Sequence, residues 1–209
     1  REANFLLEEG ASPEQVDRVL TEFGMPMGPL QMSDLAGLDV MYRIRQSEEG
    51  KPAEGVRDSK IGDKLFEAGR LGQKSGKGFY RYEGRKAVPD PEVQAVIESC
   101  AKEAGIERRE ISDQEILQRC LYPVINEGAK ILEEGVALRP CDVDVIWIYG
   151  YGFPRYHGGP MCYADVVGVA EVVKSLEALA AKHGELFEPA ALLKQVAADG
   201  KKLSSWRRS

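Results

Sequence analysis

The stretch that decides the fold occurs twice, as Gly28-Pro29-Leu-Gln-Met-Ser-Asp34-Leu-Ala-Gly37 and as Gly159-Pro160-Met-Cys-Tyr-Ala-Asp165-Val-Val-Gly168. In both copies Asp follows Pro by five residues and Gly follows Asp by three. Proline is favoured at the first position of a helix and glycine directly after the last one. Each stretch therefore predicts a short helix, and in the first copy we expect Leu30, Leu35 and Leu38 to face inward.

Further matches extend the repeat on both sides of this stretch. Leu7-Glu-Glu-Gly10 recurs as Leu132-Glu-Glu-Gly135, and Gly24-Met-Pro26 recurs as Gly152-Phe-Pro154. The second copy has three more residues between Gly135 and Gly152, and three more, Arg155-Tyr156-His157, after its Gly-Phe-Pro. A period of about 125 residues is too long for a solenoid. It predicts a duplicated helical domain whose copies pack about a pseudo-two-fold axis.

The rest of the chain contains helix start and stop signals that are typical of a helical protein. Capping boxes begin at Ser12 and at Ser112, and Pro140 begins a further helix. The chain has no strand–helix–strand alternation and no Gly-x-Gly-x-x-Gly fingerprint, so we expect no Rossmann sheet. The stretch 83–91, with Gly84, Pro89 and Pro91, is typical of a linker. We therefore predict an all-α fold with domains at 1–88 and 89–209, the second ending in a basic tail.

Composition excludes several classes of function. The 209 residues carry a formal net charge of -6, which argues against nucleic-acid binding. No apolar run is long enough for a membrane span. Four cysteines without a Cys-x-x-Cys pair and only two histidines argue against a metal site. The opening Arg1-Glu2 has neither Met nor a signal-peptide core, so we expect a piece of a longer protein.

The repeated motifs, together with Gly72-Gln-Lys-Ser-Gly-Lys-Gly-Phe-Tyr80, resemble the C-terminal helical domain of 3-hydroxyacyl-CoA dehydrogenases. The second copy, from Tyr149 to Asp165, resembles the second such domain of multifunctional fatty-acid β-oxidation proteins. The resemblance covers about residues 1–200. It implies tandem duplicated domains of the 6-phosphogluconate dehydrogenase C-terminal-domain-like fold. It also implies a parent that oxidises L-3-hydroxyacyl-CoA with NAD and carries an enoyl-CoA hydratase/isomerase part.

The resemblance implies that the reaction chemistry lies outside this chain. In the family, the NAD-binding glycines and the catalytic His–Glu pair belong to a preceding Rossmann domain, and a catalytic Asn aligns before Arg1. In the second copy, Arg119, Pro123 and Glu127 match the family pattern, but Gln118 replaces the Asn. We therefore predict no catalytic and no cofactor-binding residue here. The chain would close the substrate cleft, form an intramolecular pseudo-dimer and be inactive alone.

Some residues remain as candidates for substrate or interface contact. Residues 70–86 hold six basic residues and one acidic residue. Lys74 and Lys77 in this basic loop could meet the phosphates of coenzyme A, or lie in solvent or against a missing domain. Arg155 and His157 could touch substrate or pack in their turn. Asp34 and Asp165 could be paired catalytic groups, but a residue duplicated in two domains more simply holds the same fold twice.

The expected partners follow from the same resemblance. They are a 3-hydroxyacyl-CoA substrate, Rossmann and hydratase domains, and a thiolase subunit as a further candidate. The chain ends Arg207-Arg208-Ser209 and lacks a Ser-Lys-Leu signal, which favours a bacterial cytoplasm over a peroxisome. The alternative hypothesis is a stand-alone helical binding or assembly module without an enzymatic parent.

Overall fold

The computed structural model describes residues 1–47 and 57–207, and these residues form helices joined by short turns, with one small hairpin. The all-α prediction is confirmed. In chain order the elements are α1 Glu2–Glu9, α2 Pro13–Phe23, α3 Pro29–Ala36, α4 Leu38–Gln46, α5 Ile61–Glu67, β1 Arg81–Glu83, β2 Lys86–Val88, α6 Pro91–Glu103, α7 Asp113–Glu134, α8 Pro140–Gly150, α9 Pro160–Val167, α10 Val169–His183 and α11 Ala191–Ala198.

The chain separates into two compact units. The first contains Arg1–Glu22 and Met27–Ile116, and the second contains Phe23–Pro26 and the chain from Leu117 onward. Helix α6 lies in the first unit because it packs on α1 and α5. The units therefore divide inside α7, further along the chain than the predicted limit at residue 88. As a limit between the duplicated domains, residue 88 stays a prediction.

In the first unit the helices bury their apolar faces around Leu6, Leu7 and Leu65, none of which is exposed. Leu30 and Leu38 face inward as predicted, but Leu35 is 55% exposed, so that part of the prediction is wrong. Helix α3 has only two turns, and its inward face is occupied by Leu30 and the buried Asp34. Because Leu35 directly follows Asp34, it points about 100° away from that face.

The stretch predicted as a linker contains a β-hairpin instead. Strands β1 and β2 are antiparallel, with Arg81 opposite Val88 and Glu83 opposite Lys86. Gly84 provides the positive φ that so tight a turn requires, at 64°. The preceding Phe79 and Tyr80 are each only 3% exposed. This segment is therefore anchored in the first unit.

In the second unit, α8 to α11 pack around Met161, Leu176 and Leu193, which are fully buried. Helix α7 continues through Pro123. The basic tail is partly packed, because Leu203 is fully buried in a short 3-10 turn, whereas Lys201, Lys202 and Arg207 are exposed. Arg208 and Ser209 lie outside the described residues. Within the described ranges, no helix is both long and apolar enough to cross a bilayer.

Candidate functional site

The repeated aspartate of the first copy anchors the loop that follows α5. Asp34 is fully buried on α3. Its Oδ1 accepts a hydrogen bond from the backbone N–H of Phe79 at 2.8 Å, and its Oδ2 accepts one from Tyr80 N–H at 3.0 Å. The Tyr82 hydroxyl donates a third bond to Oδ2 at 2.9 Å. The carboxylate thereby fixes the glycine-rich loop and the start of the hairpin.

The repeated aspartate of the second copy has the same kind of partners. Asp165 Oδ1 accepts from the backbone N–H of Leu203 at 2.6 Å, and Oδ2 accepts from Ser204 N–H at 3.1 Å. Two carboxylate oxygens again bind two successive backbone N–H groups far along the chain. Each carboxylate thus satisfies backbone donors, the arrangement expected if Asp34 and Asp165 maintain the same fold twice.

Two further aspartates that sequence reasoning missed complete the motif. Asp17 Oδ1 accepts from Leu30 N–H at 2.8 Å, and its Oδ2 accepts from Gln31 N–H at 3.0 Å, at the start of α3. In the second copy, Asp144 Oδ1 accepts from Met161 N–H at 2.7 Å, at the start of α9. The signal was available in the sequence, because Pro13-x-x-Val-Asp17 recurs as Pro140-x-x-Val-Asp144. Asp17 and Asp144 therefore occupy equivalent positions of the repeat.

The glycines of the motif make room for these carboxylates. A Cβ added to Gly28 would lie 2.2 Å from Asp17 Cγ, and one added to Gly159 would lie 2.4 Å from Asp144 Cβ. Only glycine lets the helix start approach the aspartate this closely. The closing glycines, Gly37 and Gly168, have φ of 99° and 97°. Pro29 and Pro160 are the first residues of α3 and α9, as predicted.

Burial dominates the electrostatics of the first copy's site. Desolvation raises the pKa of Asp17 and the pKa of Asp34, although the hydrogen bonds to each carboxylate oppose the shift. Burial and the adjacent carboxylates also raise the pKa of Tyr80 and Tyr82, so both hydroxyls remain donors. Tyr80 donates to Asp17 Oδ2 at 2.8 Å. These groups form one hydrogen-bonded network between α2, α3 and the hairpin.

The basic loop 70–86 is less basic at its surface than its composition indicates. Arg70 is only 2% exposed. It binds Asp90 at 2.6 Å and Glu92 at 3.0 Å, and its Nε donates to the carbonyl of Gly78 at 2.8 Å. Burial of an arginine requires such partners. Arg70 therefore belongs to the fold and does not contribute to a surface anion site.

The two lysines proposed for coenzyme A differ in their surroundings. The Lys74 ammonium forms an ion pair with Asp39 at the start of α4, and this pair lowers the pKa of Asp39. Lys77 is exposed, while its backbone carbonyl accepts a bond from Gly72 N–H at 2.8 Å. The loop thus holds the Lys77 side chain at the surface of the first unit.

The second pair of candidates lies in an aromatic cluster of the second unit. His157 stacks on Phe23, with ring centroids 4.4 Å apart and planes inclined by 10°. Tyr163 meets the His157 ring edge-on at 5.1 Å. The Arg155 guanidinium lies over the Tyr149 ring, 5.0 Å from its centroid. Both side chains thus have packing partners within the second unit, and contact of Arg155 or His157 with substrate stays a prediction.

The residues that the structure describes lack the strand–turn–helix arrangement that holds NAD in a Rossmann domain. A dinucleotide is held where a glycine-rich turn joins a parallel strand to a helix. Within 1–47 and 57–207, the only sheet is the antiparallel hairpin of β1 and β2. The glycine-rich loop at 72–78 leads into that hairpin and not into a helix.

Fold and site together define a predominantly helical protein built from a tandem repeat, in which aspartates of each copy bind backbone N–H groups. The family described as "3-hydroxyacyl-CoA dehydrogenase, C-terminal domain" matches residues 1–82 and 116–205. These two segments contain the two repeated motifs. The chain belongs to this family, as the resemblance predicts.

Longer proteins contain most of this sequence. The chain is 44% identical to the human peroxisomal bifunctional enzyme over 223 residues, covering 99% of this chain and 31% of that protein. It is 39% identical to the fatty acid oxidation complex subunit alpha of Shewanella halifaxensis over 204 residues, covering 98% of this chain and 28% of that protein. The chain thus spans about a third of the length of the curated relatives it matches.

Solved structures share the fold. The dehydrogenase part of multifunctional enzyme 1 from C. elegans matches with a TM-score of 0.71 and 30% identity, over 93% of this chain and 44% of that one. The 3-hydroxybutyryl-CoA dehydrogenase of Escherichia coli matches with a TM-score of 0.65 over 92% of this chain and 56% of that one. At 22% identity, the second match concerns the fold alone.

Proposed function

We propose that this chain is the helical part of an NAD-dependent L-3-hydroxyacyl-CoA dehydrogenase within a multifunctional fatty-acid β-oxidation enzyme. Its role is to close the substrate cleft, with the two copies paired as an intramolecular pseudo-dimer. The observation that carries the proposal is the match of one dehydrogenase family to both repeats. The relatives named bifunctional or multifunctional support a wider activity, for which the family resemblance suggests an enoyl-CoA hydratase.

The contribution of this chain is positioning. NAD, bound by a separate domain, would supply the hydride acceptor. The described residues hold a rigid surface for that domain, because Asp34 fixes the loop around Lys77 and Asp17 fixes the start of α3. Rigid, satisfied backbone turns are what a cleft-closing surface needs to position a substrate.

Two assays on the purified chain test the proposal. NADH formation from a 3-hydroxyacyl-CoA, followed by absorbance, is expected to be absent. Titration calorimetry with NAD is expected to show no binding. NADH formation by the chain alone would overturn the assignment of the chemistry to another domain. A matched positive control is the corresponding longer protein, which is expected to be active.

We also propose that Lys77, with Lys74, meets the anionic groups of coenzyme A. The exposure of Lys77 beside a fixed loop supports this, whereas the Asp39 partner of Lys74 must be displaced first. Calorimetry with coenzyme A on the longer protein is expected to show weaker binding for Lys77→Ala than for Lys77→Arg. The exposed Arg85→Ala is the matched control. Equal affinities in all three variants would exclude the contact.

Two further proposals concern partners and location. One relative is named a subunit alpha, which supports a second subunit, and the family resemblance suggests a thiolase for it. The named relatives include peroxisomal and bacterial proteins, and the bacterial cytoplasm stays the proposal from sequence.

Reading the gene upstream of the Arg1 codon separates the dehydrogenase hypothesis from the alternative of a stand-alone helical module. A strand–Gly-x-Gly-x-x-Gly–helix sequence there supports the former, and a start codon directly there supports the latter.

A further inference from the structure

Tyr156 and His157, two of the three residues that lengthen the second copy after its Gly-Phe-Pro, contact one short turn. This turn, Phe23–Pro26, begins at the last residue of α2 in the first copy, but its contacts place it in the second compact unit. The Arg155–His157 insertion forms a single 3-10 turn that ends at Gly158 with a φ of 76°. The insertion has no counterpart between Pro26 and Gly28. Contacts made by the insertion therefore have no equivalent in the first copy.

Contacts that the two copies make equivalently surround this turn. A Cβ built on Gly24 would lie 2.9 Å from Pro154 Cγ, and one built on Gly152 would lie 2.7 Å from Pro26 Cγ. Gly24 corresponds to Gly152 in the repeat, and Pro26 corresponds to Pro154. The two Gly-x-Pro turns thus pack reciprocally within the second compact unit.

The insertion adds contacts on one side only. His157 stacks flat on Phe23 at 4.4 Å, and the Tyr156 hydroxyl donates to the Phe23 carbonyl at 2.7 Å. That carbonyl belongs to the last residue of α2, where no later helical N–H is available to it. Phe153 and Tyr163 meet the Phe23 ring edge-on at 5.5 Å and 5.1 Å. Phe23 therefore lies in an aromatic pocket that the insertion completes.

We propose that the Arg155–His157 insertion is a binding site for the Phe23–Pro26 turn. The segment that this site recognises is an aromatic residue at the end of a helix, followed by Gly-x-Pro. His157 is the positioning residue, because it covers one face of the Phe23 ring. Tyr156 caps the helix end, and the absent side chain of Gly24 leaves space for the Tyr156 hydroxyl, which would lie 2.1 Å from a Cβ there. This inference does not depend on the proposed function.

Site-resolved proteolysis of the whole chain tests the proposal. Chymotrypsin cleaves after phenylalanine, so mass spectrometry can compare the bond after Phe23 with the bond after Phe66, which lies in α5 and stacks on Tyr42. In His157→Ala, cleavage after Phe23 is expected to rise about tenfold, while cleavage after Phe66 stays within about twofold of the wild type. His157→Phe keeps a stacking ring and should restore protection.

The hydroxyl is tested by Tyr156→Phe, which is expected to raise cleavage after Phe23 about threefold, as loss of one ordinary hydrogen bond predicts. Tyr151→Phe, an exposed tyrosine outside the pocket, is the matched control and should change nothing. Unchanged cleavage after Phe23 in His157→Ala, or an equal rise at Phe23 and Phe66, would overturn the proposal. Should His157→Ala fail to fold, the comparison of Tyr156→Phe with Tyr151→Phe decides between the same two outcomes.

Discussion

Asp34 and Asp165 occupy equivalent positions of the two repeats and bind the backbone in the same way. Each carboxylate accepts two successive backbone N–H groups, one on each oxygen, from Phe79 and Tyr80 in one case and from Leu203 and Ser204 in the other. The segments so bound differ, since one begins a hairpin and the other is a 3-10 turn. The duplicated residue has therefore kept its task while the sequence it binds has diverged.

Removing either carboxylate should destabilise its own unit, and Asp34 should matter more. Asp34→Ala leaves two buried N–H groups and one hydroxyl without their acceptor, and we expect a loss of about 2–4 kcal/mol in the free energy of unfolding. Asp165→Ala frees two N–H groups at a half-buried position, with an expected loss of about 1–2 kcal/mol. Urea denaturation measures both. A larger loss for Asp165→Ala would contradict the ranking by burial.

The close approach of glycine to aspartate predicts a steric effect in each copy. Gly28→Ala and Gly159→Ala place a methyl group where it overlaps Asp17 or Asp144. We expect each to cost about 1–3 kcal/mol in the free energy of unfolding, the usual cost of overpacking. Gly62→Ala is the matched control, because no atom lies within 4 Å of its Cβ position and the residue is helical. It should stabilise the chain slightly, by about 0.5–1 kcal/mol. Thermal melts of the three variants decide the point.

The buried Asp34 predicts a specific dependence of stability on pH. Desolvation raises its pKa in the folded chain above the ordinary 3.8. At pH values between the ordinary pKa of the unfolded chain and the raised pKa of the folded chain, the folded state binds more protons than the unfolded state. The free energy of unfolding therefore falls as pH rises through this interval. Asp34→Asn has no such proton to exchange. The stability of the wild type relative to this variant should therefore decrease from about pH 3.5 upward, through the raised pKa.

Paired urea titrations of the wild type and Asp34→Asn at several pH values measure that difference. Asp17, Arg70 and the two tyrosines are present in both proteins, so their own titration largely cancels. A difference that grows with pH would show that hydrogen bonds outweigh desolvation at Asp34.

The contacts of Arg70 predict that a positive charge alone is not sufficient to keep the stability of the chain at this buried site. Its guanidinium reaches Asp90, Glu92 and the Gly78 carbonyl at once, which a lysine ammonium cannot do in the same geometry. Arg70→Lys is expected to lower the free energy of unfolding by about 2–4 kcal/mol. Arg85→Lys, at an exposed position of the same loop, should be neutral. Equal effects of the two substitutions would show that Arg70 behaves as an exposed residue of the basic loop 70–86, as the composition indicates.

The sequence by itself determined the helices, the duplication and the family. Proline and glycine act on the backbone of their own neighbours, so helix limits such as Pro29–Ala36 and Val169–His183 could be read locally. The repeat was visible because both copies need the same residues at the same helix starts. Asp17 and Asp144 were within reach of the same comparison, although their burial was not.

Only the tertiary structure decided which partner each side chain has. Asp34 meets residues 45 and 46 positions away, and Arg70 finds its acids 20 and 22 positions away. No local pattern encodes such pairs, because they depend on how helices and the hairpin pack. The same reason explains the outward-facing Leu35 and the aromatic pocket around Phe23. Propensity acts between neighbours in sequence, whereas burial and charge pairing act between neighbours in space.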